Sequence, residues 1–229
     1  MGMTHRERLK RWLLAGVRPD QPLPRWFPAL GLLALLALVL LTLAVFTGAS
    51  LSADDAIELN LHAHDSSFLT TLMDGLTILG YIPSVAAVVG VADVLLVLVR
   101  RRLEALLLTG AMLGEGAWDD ILKFSFRRPR PLLWQHVNPH SWSFPSGHAF
   151  ATLCLIVLLT ALFWRRLAGW LRWVVVVLAL LLAFGIGISR VYLGVHYPSD
   201  VAGGWLAALA WLGAVAYWAQ RTLPPKRGD

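Results

Sequence analysis

The chain has 229 residues, of which 57% are hydrophobic and 15% are charged, and its formal net charge is +6. Soluble domains carry about 25% charged residues, so this composition excludes an ordinary soluble globular protein and indicates an integral membrane protein. The single cysteine, Cys154, excludes a disulfide within the chain and a cysteine-clustered metal site. We expect Cys154 to be a small buried residue.

The N-terminal 25 residues are predicted to form a basic amphipathic segment on the cytoplasmic membrane surface. Leu9, Trp12 and Leu13 recur there at helical spacing among basic side chains. A disordered basic tail is the alternative. Residues 26–53 then contain no charge and exceed the roughly 20 residues that cross a bilayer, which argues against a cleaved signal peptide.

Apolar runs along the rest of the chain predict an all-α membrane protein with six transmembrane helices. Its membrane domain is expected over 26–221, followed by a cytoplasmic tail over 222–229. An even number of spans places both termini on the same, cytoplasmic side. The predicted spans are about 28–49, 75–99, 103–125, 146–164, 173–189 and 201–220.

The basic residues support this topology. Of the 20 Lys and Arg residues, 15 fall at the termini and on alternate loops, as the positive-inside rule requires. The charge distribution therefore indicates topology and an anion site rather than a nucleic-acid-binding face. We expect Arg127 and Arg128 to be anchors at the membrane interface. The five basic residues on the opposite side are Lys123, Arg127, Arg128, Arg130 and Arg190.

The connection over about 50–74 is acidic and is predicted to be a short amphipathic cap. Within it, His62, His64 and Asp65 raise the alternative of a metal site. Their spacing is generic, so a solvated loop is favoured.

The first polar cluster consists of Lys123 and then Arg130-Pro131. Lys123 lies near the outer end of the third span, and both cations can reach one anion. A charge at membrane depth needs a partner, and Asp119 lies four residues earlier on the same helical face. We expect Asp119 to pair with Lys123, while the roles of Glu115 and Asp120 stay open.

The second cluster, Pro145-Ser146-Gly147-His148, opens the fourth span. Proline suits a first helical turn, and the free N–H groups of that turn can hold an anion. Ser146 adds a hydroxyl donor, and Gly147 lets the backbone approach a ligand. His148 is the candidate acid or base, although a lone histidine at a helix start is more often a cap or a surface residue.

The third cluster contains Ser189-Arg190, His196 and Asp200. Arg190 ends the fifth span and can approach the same anion from another side. A carboxylate near a histidine can keep one imidazole nitrogen protonated and leave the other free as a nucleophile. The alternative is a structural His–Asp pair at an interface.

In this order and spacing, the three clusters resemble the signature of the type 2 phosphatidic acid phosphatase family. These are integral membrane lipid phosphatases related to vanadium-dependent haloperoxidases. The run from Tyr192 to Asp200 is typical of bacterial members. The motifs cover residues 123–200 and the helical frame extends the likeness to about 103–220, whereas the first 70 residues carry no motif.

The resemblance implies a role for each matching residue. His196 attacks phosphorus and forms a phosphohistidine, and Asp200 orients it. His148 protonates the leaving alkoxide and then activates water. No metal or other cofactor is expected. The residues expected to bind the phosphoryl oxygens are Lys123, Arg130, Ser146, Gly147 and Arg190.

The expected function is therefore hydrolysis of the terminal phosphate of a membrane lipid, namely phosphatidylglycerol phosphate, phosphatidic acid or undecaprenyl diphosphate. The expected location is the inner membrane of a bacterium, with the site facing outward. The partners are the bilayer and the lipid phosphate, without nucleic acid, and the oligomeric state stays open. The alternatives are a lipid A phosphatase, a haloperoxidase, and a non-catalytic phospholipid-binding or transport protein.

Overall fold

A computed structural model describes residues 24–131, 141–164, 167 and 169–222. These residues form eight α-helices and no strand, which confirms the predicted all-α class. The predicted basic segment over 1–25 lies almost entirely outside the described residues, as does most of the tail. The helices are α1 (Phe27–Phe46), α2 (Leu51–Ala63), α3 (Ser67–Leu79), α4 (Ile82–Leu98), α5 (Arg102–Phe126), α6 (Gly147–Phe163), α7 (Leu171–Tyr192) and α8 (Pro198–Thr222).

Five of the predicted spans coincide with single helices, α1, α5, α6, α7 and α8, to within a few residues. By length and composition, α1, α7 and α8 are long and apolar enough to cross a membrane. The helices α3 and α4 meet the same test only as a bent pair. The six-span count thus stays a prediction, since α5 is rich in charged residues and α6 has only 17 residues.

The second predicted span is wrong as a continuous helix. Its helical region begins at Ser67, where the Ser66 hydroxyl caps α3, and it bends by 51° between α3 and α4. The bend falls at Gly80, where a Cβ would lie 2.7 Å from His148 Cδ2 and 2.7 Å from Ile186 Cγ2. Only glycine fits there without a shift of His148. The bend between α3 and α4 therefore packs directly against His148 of the second polar cluster.

The helix α8 lies at the centre of the bundle and contacts α1, α5, α6 and α7. Against α1 the two backbones nearly touch, because a Cβ added to Gly31 would lie 2.5 Å from Gly213 Cα. Small residues at such a crossing are typical of helix packing in membranes. Cys154 on α6 is fully buried near α8, as predicted, with its Sγ 3.9 Å from Ala208 O.

Candidate active site

The three polar clusters meet at one end of the bundle, where α5 and α7 end and α6 and α8 begin. There they border a cavity of about 650 Å³. The walls of this cavity also include the Gly80 bend and the inner face of α5. The cluster residues that line it are Lys123, Arg130, Gly147, His148, Arg190 and His196.

His196 is buried, and both of its ring nitrogens face charged groups. Nδ1 lies 3.5 Å from Asp200 Oδ2, and Nε2 lies 3.1 Å from Arg130 Nη1. Because a guanidinium can only donate, Nε2 accepts and the ring proton lies on Nδ1, toward Asp200. Burial, opposed by Asp200 and assisted by the cations Arg130 and Arg190, lowers the pKa of His196 to about 4. At neutral pH the ring therefore presents the Nε2 lone pair at the cavity.

Asp200 is fully buried, and each of its oxygens accepts hydrogen bonds. Oδ1 accepts from Arg128 Nη1 at 2.5 Å. Oδ2 accepts from the Tyr197 backbone N–H at 2.9 Å and from the Ser143 hydroxyl, besides facing His196. The carboxylate is thereby fixed in the orientation that holds the Nδ1 proton of His196.

Arg130 ties the first cluster to the third. Its Nη1 donates to Val195 O at 2.6 Å, and its Nε donates to Ser141 O at 2.8 Å. Burial and the nearby Arg190 lower the pKa of Arg130 to about 10, so its side chain stays charged at neutral pH. A cation is thus held beside the Nε2 atom of His196.

Lys123 forms an ion pair with Asp119 one turn earlier on α5, which confirms the predicted pairing. The pair lies against the first turn of α6. A Cβ added to Gly147 would lie 2.8 Å from Lys123 Nζ and 2.8 Å from Asp119 Oδ2. A side chain at this position would displace the pair, so glycine allows the cation and the α6 backbone to face the same cavity.

Three other cluster residues hold hydrogen-bonding atoms that are buried and have no partner in the described part of the chain. These atoms are Ser146 Oγ, His148 Nε2 and Arg190 Nε. Other contacts position the residues: His148 packs edge-on against the Tyr81 ring at 5.1 Å, and Arg190 Nη1 donates to Thr77 Oγ1 at 2.5 Å.

Comparison with known proteins identifies the family. Residues 104–224 match the model of the PAP2 superfamily. The chain belongs to this superfamily. The resemblance to type 2 phosphatidic acid phosphatases is confirmed.

Individual relatives extend the likeness beyond the family match. Phosphatidylglycerophosphatase B of Bacillus subtilis is 30% identical over 173 residues, which are 75% of this chain and 85% of that protein. The crystal structure of a transmembrane PAP2 type phosphatidylglycerolphosphate phosphatase from Bacillus subtilis superimposes with a TM-score of 0.75 and 26% identity, covering 88% of this chain and 100% of that one. An undecaprenyl-diphosphatase of Sulfolobus acidocaldarius is 35% identical over 106 residues, 45% of each chain.

In this PAP2 protein Arg128 is not the interface anchor that its position predicted. It is 7% exposed, and its guanidinium lies over the Tyr197 ring at 4.1 Å. The cause is local: Arg127 ends α5 in the left-handed conformation (φ 49°), and the chain turns inward immediately after it. Arg127 itself is exposed.

The predicted acidic cap is mostly the helix α2, and one of its acids reaches the site. Asp54 is buried and accepts from the Ser199 backbone N–H at 2.8 Å. His62 contributes Nδ1 to a 2.8 Å hydrogen bond with Glu58 O. In the described ranges, no group of three or more His, Cys, Asp or Glu residues is arranged to hold a metal ion.

Proposed function

We propose that this PAP2 protein removes the terminal phosphate of a membrane lipid through a phosphohistidine formed at His196 Nε2. The observation that carries the proposal is a neutral imidazole whose Nε2 faces a cavity lined by Lys123, Arg130 and Arg190. The chain is a phosphoric ester hydrolase, as its phosphatase relatives indicate. Its exposed apolar helices and its relatives make it an integral membrane lipid phosphatase.

In the first step the terminal phosphate enters the cavity, and its oxygens accept hydrogen bonds from the three cations. The Arg130 Nη1 that now donates to Nε2 turns to a phosphate oxygen and frees the lone pair. Nε2 then bonds to phosphorus as the bond from phosphorus to the leaving oxygen breaks. His148 gives its proton to that oxygen, and the negative charge of the bound phosphate favours the protonated form of His148 beforehand.

In the second step the neutral His148 takes a proton from water, and the hydroxide attacks the phosphohistidine. The bond from phosphorus to Nε2 breaks, phosphate leaves, and both histidines return to their starting states. Throughout, Asp200 accepts a hydrogen bond from the Nδ1 N–H and stabilises the positive charge that the ring carries as a phosphohistidine.

For the substrate we propose phosphatidylglycerol phosphate. The support is the 30% identity over 85% of phosphatidylglycerophosphatase B and the TM-score of 0.75 with the phosphatidylglycerolphosphate phosphatase. Undecaprenyl diphosphate is the second candidate, supported by the 35% identity to an undecaprenyl-diphosphatase over 45% of its length. Phosphatidic acid and lipid A present the same terminal group and serve as comparators.

We further propose six spans, with α3 and α4 as one bent span, both termini in the cytoplasm and the site at the outer face of a bacterial inner membrane. The 15-to-5 division of basic residues supports this orientation. The Lys123–Asp119 ion pair reduces the cost of charge at membrane depth on α5, which supports its assignment as a span.

A phosphate-release assay on the purified full chain tests the function, with the four lipid phosphates and soluble glycerol phosphate in one detergent. We expect the highest kcat/KM for phosphatidylglycerol phosphate and the lowest for glycerol phosphate. Rapid quenching with phosphatidylglycerol phosphate that is radiolabelled in its terminal phosphate should trap labelled phosphohistidine on the wild-type protein. No label should be trapped on His196→Ala. Equal kcat/KM for glycerol phosphate and the lipids, or wild-type turnover by His196→Ala, would overturn the proposal.

A further inference from the structure

We infer that Arg128 and Asp54 are positioning residues for the reaction, through which the cap helix α2 sets the orientation of Asp200 and so of His196. The inference rests on the proposed role of His196 as nucleophile. Neither Arg128 nor Asp54 belongs to a signature cluster, and neither lines the cavity in the described structure.

The Arg128 guanidinium bridges two carboxylates that come from distant parts of the chain. Nη1 donates to Asp200 Oδ1 at 2.5 Å and to Ser199 Oγ at 2.8 Å. Nη2 donates to Asp54 Oδ2 at 3.0 Å. Arg128, Asp54 and Asp200 are 7%, 2% and 0% exposed, so water screens these interactions little.

Asp54 also fixes the start of α8, the helix that carries Asp200. Its Oδ1 accepts from the Ser199 backbone N–H at 2.8 Å, and its Oδ2 accepts from Ser199 Oγ at 2.6 Å. A carboxylate that accepts an N–H of a first helical turn acts as an N-cap and interacts favourably with the helix dipole. Asp54 supplies this cap from another helix, so a shift of α2 moves the first turn of α8.

The buried charges link this network to His196. The single positive charge of Arg128 is shared between two carboxylates, Asp54 and Asp200. The share that Asp200 receives decides how much negative charge it presents to the imidazole. Removing Arg128 leaves that charge uncompensated, so His196 should hold a proton more tightly. Removing the charge of Asp54 leaves Arg128 to Asp200 alone, so His196 should hold a proton less tightly.

The other charged groups near His196 stay constant in this comparison. They are Arg130 after α5, Arg190 on α7, and Lys123 and His148 at the ends of α5 and α6. Glu58 on α2 is buried and interacts electrostatically with Asp54, Arg128 and Asp200. Burial raises the pKa of Glu58 to about 7, so this group is neutral at the pH of the acid limb. The acid limb of kcat/KM should therefore move to higher pH in Arg128→Gln and to lower pH in Asp54→Asn. Such opposite shifts would arise from the carboxylate pair. A purely structural role would lower activity in both variants without moving the limb in opposite directions.

The test measures kcat, KM, the pH dependence of kcat/KM and the melting temperature of the full chain with phosphatidylglycerol phosphate. The matched controls are the exposed neighbours, in Arg127→Gln and Asp55→Asn. We expect Arg128→Gln to lower kcat by about 10- to 100-fold with KM nearly unchanged, the range found when the hydrogen-bond partner that orients a metal-ligating residue is removed. Asp54→Asn should lower kcat less, and the controls should match the wild type.

Arg128→Lys keeps the charge but can reach fewer acceptors, so it should fold and fall between the wild type and Arg128→Gln. The double variant should lose less activity than the product of the two single losses, because both act on Asp200. A raised KM at unchanged kcat, an acid limb that does not move, or controls as impaired as the variants would overturn the inference. The same assay includes His196→Ala. If that variant is inactive, the proposed function is supported whatever the result for the Arg128 variants.

Discussion

Two groups of residues at the candidate active site differ in how completely the protein satisfies their polar atoms. In the first group, both oxygens of Asp200 and both ring nitrogens of His196 contact polar partners in the folded chain. In the second group, buried atoms of Ser146, His148 and Arg190 have no partner among residues 24–131, 141–164 and 169–222.

Buried polar groups in proteins are nearly always hydrogen-bonded, and each one left unpaired costs about 1–3 kcal/mol. The difference therefore indicates that folding assembles the first group, whereas the hydrogen bonds of the second group are completed when phosphate oxygens and the leaving oxygen arrive. Substitutions in the first group should affect stability and turnover together. Those in the second group should affect turnover without loss of stability.

The largest effect is expected from His196→Ala, which removes the nucleophile. Turnover should fall below detection, because no other group in the proposed mechanism attacks phosphorus. Lipid binding should survive, since Lys123 and Arg190 keep their places. We expect phosphate release to stop and the equilibrium binding of a lipid phosphate to stay unchanged, while loss of both would contradict the proposed division of roles.

His148→Ala should lower kcat by about 10²- to 10⁴-fold, the usual contribution of a general acid–base group. A phosphate ester with an activated leaving group should restore the first step, because that group departs without a proton. The second step still lacks its base, so phosphohistidine should accumulate and appear as a burst of the leaving group. An activated ester turned over at a steady rate without a burst would contradict the second role.

A matched pair of serines tests the stability difference. Ser143 donates to Asp200, so Ser143→Ala should lower the free energy of unfolding by about 1–3 kcal/mol and also lower kcat. Ser146→Ala removes a hydroxyl without a partner in the described structure, so it should leave stability unchanged and lower kcat/KM by about 10-fold or more. Thermal melting and steady-state kinetics on both variants decide, and equal melting losses would contradict the comparison.

The smallest effect is on the pH profile. The pKa of His196 is lowered to about 4, so the ring is neutral above that value, and kcat/KM should be lost only as the pH falls through it. In the unfolded chain the histidine takes up a proton at about pH 6.5, so its contribution to stability also falls as the pH decreases from 6.5 toward 4.

Arg130→Gln separates this ionisation from that of the substrate. Arg130 lowers the pKa of His196, so its removal should move the acid limb of kcat/KM to higher pH. The ionisation of the substrate phosphate does not change with this substitution. An acid limb that stays in place would assign it to the substrate.

The sequence predicted much of the candidate site because its residues lie in short clusters at helix ends. Lys123 with Asp119 follows the helical repeat, and Gly147 with His148 begins an apolar run, so local spacing was enough. The left-handed turn at Arg127 and the contact of Arg128 with Asp54 left no such signal. The contact of Arg128 with Asp54 joins residues that lie 74 positions apart.

The fold was predictable to a similar degree. Apolar runs identified most helices, but hydropathy continues without interruption through Gly80, where α3 and α4 bend. The reason for that bend lies in His148 and Ile186, whose side chains leave no space for a Cβ. The acidic connection was predicted as a short amphipathic cap, but the burial of Asp54 was not predicted, because its partner Ser199 lies 145 residues away.

The part of the chain that matches the family is shorter than the part that builds the site. The PAP2 match begins at residue 104, yet α2 and α3 reach the site through Asp54 and Thr77. A fragment that begins at the family boundary would carry every signature motif and lack the partners of Ser199 and Arg190. Division at the left-handed turn of Arg100 would instead yield two halves whose activity depends on their co-expression in one membrane.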